Sequence, residues 1–235
     1  MWNRPHLLLL CVVSQAACQD KEAEQQFAAL APRLEALRAK VRDLHQALPP
    51  IGQEHEQACS PALPDSVALY TLDGRIMEDI AGVRPLDGKI RRHARGASGS
   101  ALTVPSVADV EAMRKDTFGA HVGFLAKRLP VSEKVTHVVV LRTETYDAGQ
   151  LTGNTIDRPA HWKGWAFVMS VSPAKVIGAW PFDVHSADRM EGLVFNNRTK
   201  DLLYSNLDSL MNTATDEASQ RLCGRKVHRG NESQF

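Results

Sequence analysis

Three stretches between residues 135 and 182 decide the fold: VTHVVVLRT at 135–143, WAFVMSV at 165–171 and VIGAWPF at 176–182. Each is rich in β-branched and aromatic residues and can place alternate side chains on opposite faces, as a β-strand does. The residues SPAK at 172–175 separate the second and third stretches and are typical of a tight turn with proline at its second position. The pattern therefore predicts an antiparallel hairpin beside a third strand, which together form a small antiparallel sheet.

Helices are predicted before and after this sheet in the chain. An amphipathic helix over residues 20–48 has an a/d heptad pattern, and these apolar residues form its heptad face: Phe27, Leu30, Leu34, Leu37, Val41, Leu44 and Leu48. A second amphipathic helix is predicted over 202–222, with Gly224 just past its end. Helices that flank a small antiparallel sheet make an α+β domain, with the C-terminal helix packed on the sheet.

Two uses of the heptad face are open. It can pack on the chain's own domain, as the apolar side of an amphipathic helix usually does. It can also serve as a stalk or a self-association surface. Pro32 should kink or split the helix, because proline lacks an N–H and clashes with the preceding turn. Only about two heptads then remain, fewer than the three or four typical of a free-standing coiled coil.

The segments between these elements carry weaker patterns. Residues 67–72 are predicted as a strand that ends in a turn at Asp73 and Gly74. Residues 82–105 and 144–163 are predicted as loops, since they contain glycines and prolines without a clear period.

One more helix is predicted over residues 107–129. Ser106 and Asp109 have the spacing of a capping box at its start, and Pro130 is expected to follow its end.

The amino-terminal residues have the pattern of a secretory signal peptide. Arg4 gives a positive start, residues 7–13 are apolar, and residues 14–17 are small or polar. The apolar run is far shorter than the roughly 20 residues of a permanent membrane span.

Cys18 follows two alanines, and residues 4–18 resemble the cleavage site of bacterial lipoproteins. The resemblance implies that Cys18 is acylated and becomes the first residue of the mature protein. Gln15 stands where such sites usually carry leucine, and ordinary cleavage behind Ser14 and Ala16 is the alternative. Gln19, rather than aspartate, after the lipidated cysteine implies the outer membrane, with the domain facing the periplasm. A soluble secreted or periplasmic protein is the alternative.

The cysteine count links this signal to a second prediction. Removal of the signal peptide removes Cys11 and leaves Cys18, Cys59 and Cys223. If Cys18 is acylated, the other two are an even pair, and we predict a disulfide between them in an oxidising compartment. Two separate thiols are the alternative.

The predicted organisation has five parts. They are a signal peptide at 1–17, a lipid-anchored helical extension at 18–48, a proline-rich connector at 49–66, an α+β domain at 67–224 and a disordered tail at 225–235.

Composition limits the classes of partner. The 235 residues are 43% hydrophobic and 23% charged, which is ordinary for a folded domain. Of 28 basic residues one, Arg4, lies in the signal, so the remainder balances the 27 acidic residues. Without a net charge nothing steers the whole chain toward nucleic acid, and no nucleic-acid partner is predicted.

A second resemblance concerns the strands. Residues 138–142, Tyr146, residues 165–171 and residues 177–182 are similar to poorly characterised lipoproteins of Gram-negative bacteria. This resemblance implies an envelope location and no particular activity.

Signatures of common enzyme sites are absent from the sequence, which has no P-loop, dinucleotide fingerprint, H-E-x-x-H or C-x-x-C motif. Asp183, His185, Ser186 and Asp188 include the residue types of a hydrolase, which needs a nucleophile, a base and an orienting group. A polar loop after the last strand is the other interpretation, and we predict no catalytic residue.

One pair of residues could be considered as metal ligands. His55 and Cys59 have the spacing of two metal ligands on a helix, but the surrounding prolines argue against one, and no metal or cofactor is predicted.

The sequence offers two candidate contacts with a ligand or partner. Arg91, Arg92 and Arg95 belong to a basic run that could contact an anionic group, and a solvated basic loop is the other interpretation. Trp162 lies outside the predicted strands and is expected to be exposed, where it could contact a glycan or a partner protein. The other aromatic side chains near it are expected to be core residues.

The sequence therefore favours an exported, membrane-anchored lipoprotein with a binding or structural role. Its expected partners are the membrane, through acylated Cys18, and an envelope protein or glycan. A periplasmic hydrolase that uses the His185 region and a module that self-associates through the heptad face are the alternatives.

Overall fold

The computed structural model describes the following parts of the chain: residues 5–85, 102, 104–115, 118–152, 155–186 and 199–228. Within them the chain forms five helices and seven strands. The predicted α+β class is confirmed. No helix in this described part combines the length and the apolar character that a membrane span requires.

The main sheet has five strands in the order β6-β5-β2-β1-β7. Their bounds are β1 Leu69–Asp73, β2 His137–Asp147, β5 His161–Val171, β6 Ala174–His185 and β7 Val227–His228. The predicted antiparallel unit is confirmed, since β5 pairs antiparallel with both β2 and β6. The sheet as a whole is mixed, because β1 lies parallel to β2 and β7 lies parallel to β1.

Two predicted irregular segments contain strands. The predicted loop at 144–163 is wrong, because β2 continues to Asp147, β5 already begins at His161, and β3 and β4 form a small hairpin between them. Their bounds are β3 Gln150–Thr152 and β4 Thr155–Arg158. The predicted tail is ordered at Val227–His228, where β7 pairs with β1, and residues 229–235 lie outside the described part. Strand pairing thus outweighs the polar composition of these segments.

The helices are α1 Pro5–Gln46, α2 Gly74–Ala81, α3 Val107–Lys115, α4 Phe118–Glu133 and α5 Thr199–Cys223. Neither Pro32 nor Pro130 ends its helix, so the predicted split of α1 and the predicted end of α4 are wrong. Both prolines are exposed. The burial of the opposite helix face outweighs the cost of an interior proline, which is about 3 kcal/mol.

The predicted turn at Asp73 and Gly74 is the start of α2. The Asp73 side chain caps this helix by accepting a hydrogen bond from the Arg75 backbone N–H at 2.8 Å. A Cβ atom on residue 74 would lie 2.9 Å from the Leu141 carbonyl oxygen, so glycine lets α2 begin directly against β2. Aspartate favours the N-cap of a helix as well as a turn, which is why the sequence was ambiguous here.

The capping box before α3 is confirmed. The Ser106 N–H donates to Asp109 Oδ2 at 3.0 Å, and the Asp109 N–H donates to Ser106 Oγ at 3.3 Å.

The sheet is covered on both sides. On the side that we name the α1 face, α1 covers the buried side chains of Val138, Val140, Phe167 and Met169. On the opposite side, the α5 face, α5 contributes Leu207 and Met211 to a second core with these residues: Val139, Leu141, Ala166, Val168, Trp180 and Phe182. The aromatic residues that the sequence assigned to the core are therefore divided between the two faces.

The heptad face of α1 is part of this core. Leu34, Leu37, Val41 and Leu44 are at most 2% exposed and belong to one cluster with the α1 face of the sheet. The helix therefore packs on the chain's own domain along this stretch.

The proline-rich connector runs along β6, the outer strand at one edge of the sheet. Gln57 and Ala179 exchange backbone hydrogen bonds of 2.9 and 3.0 Å, and the Ser60 N–H donates to the Ile177 carbonyl at 2.8 Å. The connector thereby satisfies backbone groups that an edge strand would otherwise leave open.

The predicted pairing of Cys59 with Cys223 is confirmed. The two sulfur atoms lie at bonding distance, the Cα atoms are 4.8 Å apart, and 164 positions separate the residues in sequence. The disulfide joins the connector to the end of α5, where the Cys59 N–H also donates to the Leu222 carbonyl at 3.0 Å.

Candidate functional site

Three side chains with ligating atoms meet at the open end of the β5–β6 pair. His161 is the first residue of β5 and lies directly opposite His185, the last residue of β6. Asp183 is two residues before His185 and therefore shares its face, because side chains alternate along a strand. We name His161, Asp183 and His185 the His–Asp–His cluster. It lies on the α1 face of the sheet.

Both imidazole rings point to one carboxylate oxygen. His161 Nε2 lies 2.8 Å and His185 Nε2 lies 3.2 Å from Asp183 Oδ1. The two rings stack in parallel, with centroids 4.1 Å apart and an angle of 4° between their planes. The side chains of Asp183 and His185 are 53% and 60% exposed, so molecules in solution can reach the cluster.

The charges around the cluster favour an ionised Asp183. The hydrogen bond from His161 is the main reason why the pKa of Asp183 lies below its ordinary value, and the charges of His161, His185 and Lys163 lower it further. Lys163 is the cross-strand partner of Asp183. The site therefore presents one carboxylate and two imidazoles beside a cationic neighbour.

The backbone that carries the cluster is held on both sides. Ser186 follows His185 and is buried; its N–H donates to the Ala160 carbonyl at 2.8 Å, and its hydroxyl accepts from the Ala160 N–H at 2.8 Å. Trp162, next to His161, packs on the opposite face of the sheet. The two strand ends are thus fixed relative to each other before any ligand arrives.

A β-bulge sets the alignment of the cluster. From the turn, Val171 pairs with Ala174, and a regular ladder would place His161 opposite Val184. The register shifts by one residue between Val168 and Met169, so that His161 pairs with His185 instead. Because a shift of one residue moves side chains to the other face, the bulge brings Asp183 and His185 to the side of His161.

The expectation that Trp162 is exposed is wrong. Trp162 is only 3% exposed and lies inside β5, where its indole N–H donates to Thr143 Oγ1 at 2.9 Å. It packs edge-to-face against Tyr146 and Phe182, each with a centroid distance of 6.0 Å. Its ring is therefore a core element beneath the cluster rather than a surface contact.

The residues of the predicted hydrolase are only partly brought together. His185 has a carboxylate at hydrogen-bond distance, as a general base needs. Ser186 lies on the opposite side of the strand, and its hydroxyl is taken by the Ala160 N–H, so Ser186 does not reach His185 as a nucleophile. Asp188 lies outside the described residues.

Several other predicted positions contribute nothing to this site. Arg91, Arg92 and Arg95 lie outside the described residues. Cys18 lies in α1, and its side chain is outside the described part of the structure. Cys59 is in the disulfide, which removes it as a partner for His55 in a metal site.

Sequence reasoning missed His161 altogether, because the residue fell in a predicted loop. The usable signal was the Asp-x-His spacing of residues 183 and 185 at the end of a strand, which places both side chains on one face. The ligating atoms of the cluster lie within 4.8 Å of one another, and it is the one group of three such residues in the described part of the chain.

Comparisons with known proteins add no relative. No protein-family model matches the chain, and no curated protein or solved structure matches it.

Proposed function

We propose that the protein is an exported lipoprotein of the bacterial cell envelope, anchored through Cys18, whose domain has a binding or structural role. The observation that carries the proposal is the Cys59–Cys223 disulfide. Structural disulfides persist in oxidising compartments and are rare in the cytosol. Once this pair is formed and the signal peptide with Cys11 is removed, Cys18 is the single cysteine left for acylation.

The arrangement of the chain supports this proposal. Cys18 precedes the part of α1 that packs on the domain, so an acyl anchor would sit at one end of a helix whose other end is fixed in the core. Bacterial lipoproteins of the type that Cys18 resembles carry more than one acyl chain, and more than one chain is needed for stable anchoring.

Metabolic labelling tests the anchor. The full chain is expressed in a Gram-negative host with a clickable palmitate analogue, and label is measured on the isolated protein. We expect label on the wild type and none on Cys18→Ser, with Cys11→Ser as the matched control that keeps the label. Label that persists on Cys18→Ser, or a wild type without label in the soluble periplasmic fraction, would contradict the proposal.

A substitution next to Cys18 tests which of the two membranes holds the protein. Gln19 implies the outer membrane, and Gln19→Asp should retain the labelled protein in the inner membrane. Separation of the two membranes by density, with the wild type beside the variant, measures this shift. Identical distributions would remove the argument for the outer membrane while leaving the anchor itself intact.

A periplasmic hydrolase is less well supported, because the Ser186 hydroxyl accepts a hydrogen bond from the Ala160 N–H and does not contact His185. Self-association through the heptad face would require Leu34, Leu37, Val41 and Leu44 to leave the core.

A further inference from the structure

We propose that the His–Asp–His cluster is a binding site for a divalent first-row transition-metal cation such as Zn²⁺. The cluster offers two imidazole nitrogens and one carboxylate oxygen from His161, His185 and Asp183. Imidazole ligands suit zinc, copper, nickel and iron, whereas calcium and magnesium prefer sites made only of oxygen ligands. The site has no thiolate, so it favours divalent cations that bind imidazole over Cu(I), which prefers sulfur ligands.

The distances fit such a cation after small side-chain rotations. Ligands bound at about 2.0–2.2 Å to a tetrahedral zinc ion lie on the order of 3.3–3.6 Å from one another. The two nitrogens lie 2.8 and 3.2 Å from Asp183 Oδ1, and all ligand atoms are within 4.8 Å. One cation between them would replace the hydrogen bond of His161 and the ion-pair contact of His185, which now converge on Asp183 Oδ1.

The exposure of the cluster leaves room for further ligands. Asp183 and His185 are more than half exposed. Zinc sites that retain a water molecule or bind a substrate combine three protein ligands with an open position, whereas structural sites close all four positions. The cluster offers three protein ligands, so a water molecule or an external ligand would occupy the fourth position on the metal.

The backbone is already organised for this ligand set. The bulge places the three side chains on one face, and the two hydrogen bonds between Ser186 and Ala160 fix the strand ends. Binding therefore requires little ordering of the chain, which lowers its entropic cost. Lys163 opposes binding, since its charge lies across from Asp183 and repels a cation.

Metal titration of the full chain tests the proposal. The protein, with an affinity tag that lacks histidine, is freed of metal with a chelator and titrated with Zn²⁺ by calorimetry and with Co²⁺ by visible absorption. We expect saturable binding with one equivalent. The cobalt spectrum should lack thiolate charge transfer, which separates this site from adventitious binding at Cys18.

Single substitutions locate the site. His161→Ala, His185→Ala and Asp183→Asn should each weaken metal binding at least about tenfold. Loss of a residue that only hydrogen-bonds to a metal ligand already costs about tenfold in affinity, and loss of a ligand should cost no less. His137→Ala is the matched control, because His137 lies on the neighbouring strand β2 and has no part in the cluster. Unchanged affinity in the three cluster variants, or no saturable binding by the wild type, would overturn the proposal.

A variant that is expected to bind the metal more tightly distinguishes loss of a ligand from loss of folding. Lys163→Gln removes the cationic neighbour and should tighten binding by about two- to fivefold at low ionic strength, with a smaller gain at high salt. Partial unfolding cannot produce such a gain. An affinity that Lys163→Gln leaves unchanged at low salt would show that the cation binds away from Asp183.

Discussion

Gly178 is the residue against which the disulfide packs. A Cβ atom at this position would lie 2.6 Å from Cys59 Sγ and 3.2 Å from Cys223 Sγ. We expect Gly178→Ala to leave part of the protein with free thiols and to lower the free energy of unfolding by about 1–3 kcal/mol, as overpacking of a core does. Thiol titration under denaturing conditions and urea unfolding measure the two effects.

Gly123 provides the matched control for this substitution. It lies in α4, where a Cβ atom would meet nothing within 4 Å, and Gly→Ala in an open helical position is stabilising by about 0.5–1 kcal/mol. Complete disulfide formation and an unchanged unfolding midpoint in Gly178→Ala would contradict the steric argument.

His137 makes the stability depend on pH. Burial lowers the pKa of His137 below its ordinary value. In the unfolded chain the pKa returns to about 6.5, so the unfolded state binds the proton more readily, and stability falls as the pH drops from neutral through this value toward the folded pKa. We expect His137→Gln to reduce this loss. Urea unfolding between pH 8 and pH 5, at about pH 0.5 intervals, tests it, and parallel curves for the two proteins would refute it.

At the scale of single residues, the sequence predicted what depends on composition and missed what depends on register. The disulfide followed from the number of cysteines and the expected compartment. The environment of Trp162 and the meeting of His161 with His185 depend on where β5 begins and on one bulge residue in β6. A shift of one residue exchanges the two faces of a strand, and no local pattern fixes it.

Among the elements, α1 contributes core residues through its heptad face. Leu37 is 2% exposed and packs with the α1 face of the sheet. We expect Leu37→Ala to lower the free energy of unfolding by about 2–5 kcal/mol, because it leaves a cavity. Leu210→Ala, at a position that is 38% exposed on α5, should cost within about 0.5 kcal/mol.

Sedimentation separates this packing role from self-association. We expect Leu37→Ala to leave the sedimentation coefficient of the folded chain unchanged. A variant that kept its stability but dissociated from an oligomer would instead support self-association through the heptad face.

One buried ion pair joins the connector to β2. Arg142 on β2 pairs with Glu54, whose side chain is 3% exposed, and also donates to the Pro49 carbonyl at 2.6 Å. The guanidinium lies over the Phe167 ring, 4.9 Å from its centroid. We expect Arg142→Met to cost about 3–5 kcal/mol, because it leaves a buried carboxylate without its partner.

A double-mutant cycle measures this pair. The variant that combines Arg142→Met with Glu54→Leu should be more stable than Arg142→Met alone, because it buries no unpaired charge. Arg221 and Glu56 form an exposed pair between α5 and the same connector, and Arg221→Met should cost at most about 1 kcal/mol. Equal costs for Arg142→Met and Arg221→Met would show that burial does not govern the connector.

For the elements, the sequence predicted the strands and helices with strong periodicity and missed those held by partners distant in sequence. The hairpin of β5 and β6 and the helices α1 and α5 have clear patterns of their own. The connector has no such pattern, and its order comes from hydrogen bonds to β6 and from Arg142, which lies more than 80 residues away in sequence. The two residues of β7 are ordered only because β1 is beside them.

For the whole molecule, the disulfide closes nearly the complete domain into one loop. Cys59 and Cys223 are 164 positions apart, and both core clusters are built mainly from the chain between them. In the chain-entropy model a closed loop of this length destabilises the unfolded state by roughly 4–5 kcal/mol. We therefore expect the variant with both Cys59→Ala and Cys223→Ala to lose about this amount of stability.

Reduction of the disulfide in the wild type can be compared with its removal in the double variant. Dithiothreitol should lower the unfolding midpoint of the wild type to near that of the double variant and leave the double variant unchanged. A wild type whose midpoint did not respond to reduction would mean that the unfolded chain is already compact, so that closing the loop removes little of its freedom. Because the chain-entropy effect acts on the unfolded state, dithiothreitol should cause an equal loss of stability in Arg221→Met, which removes an exposed ion pair to the connector but leaves the loop closed.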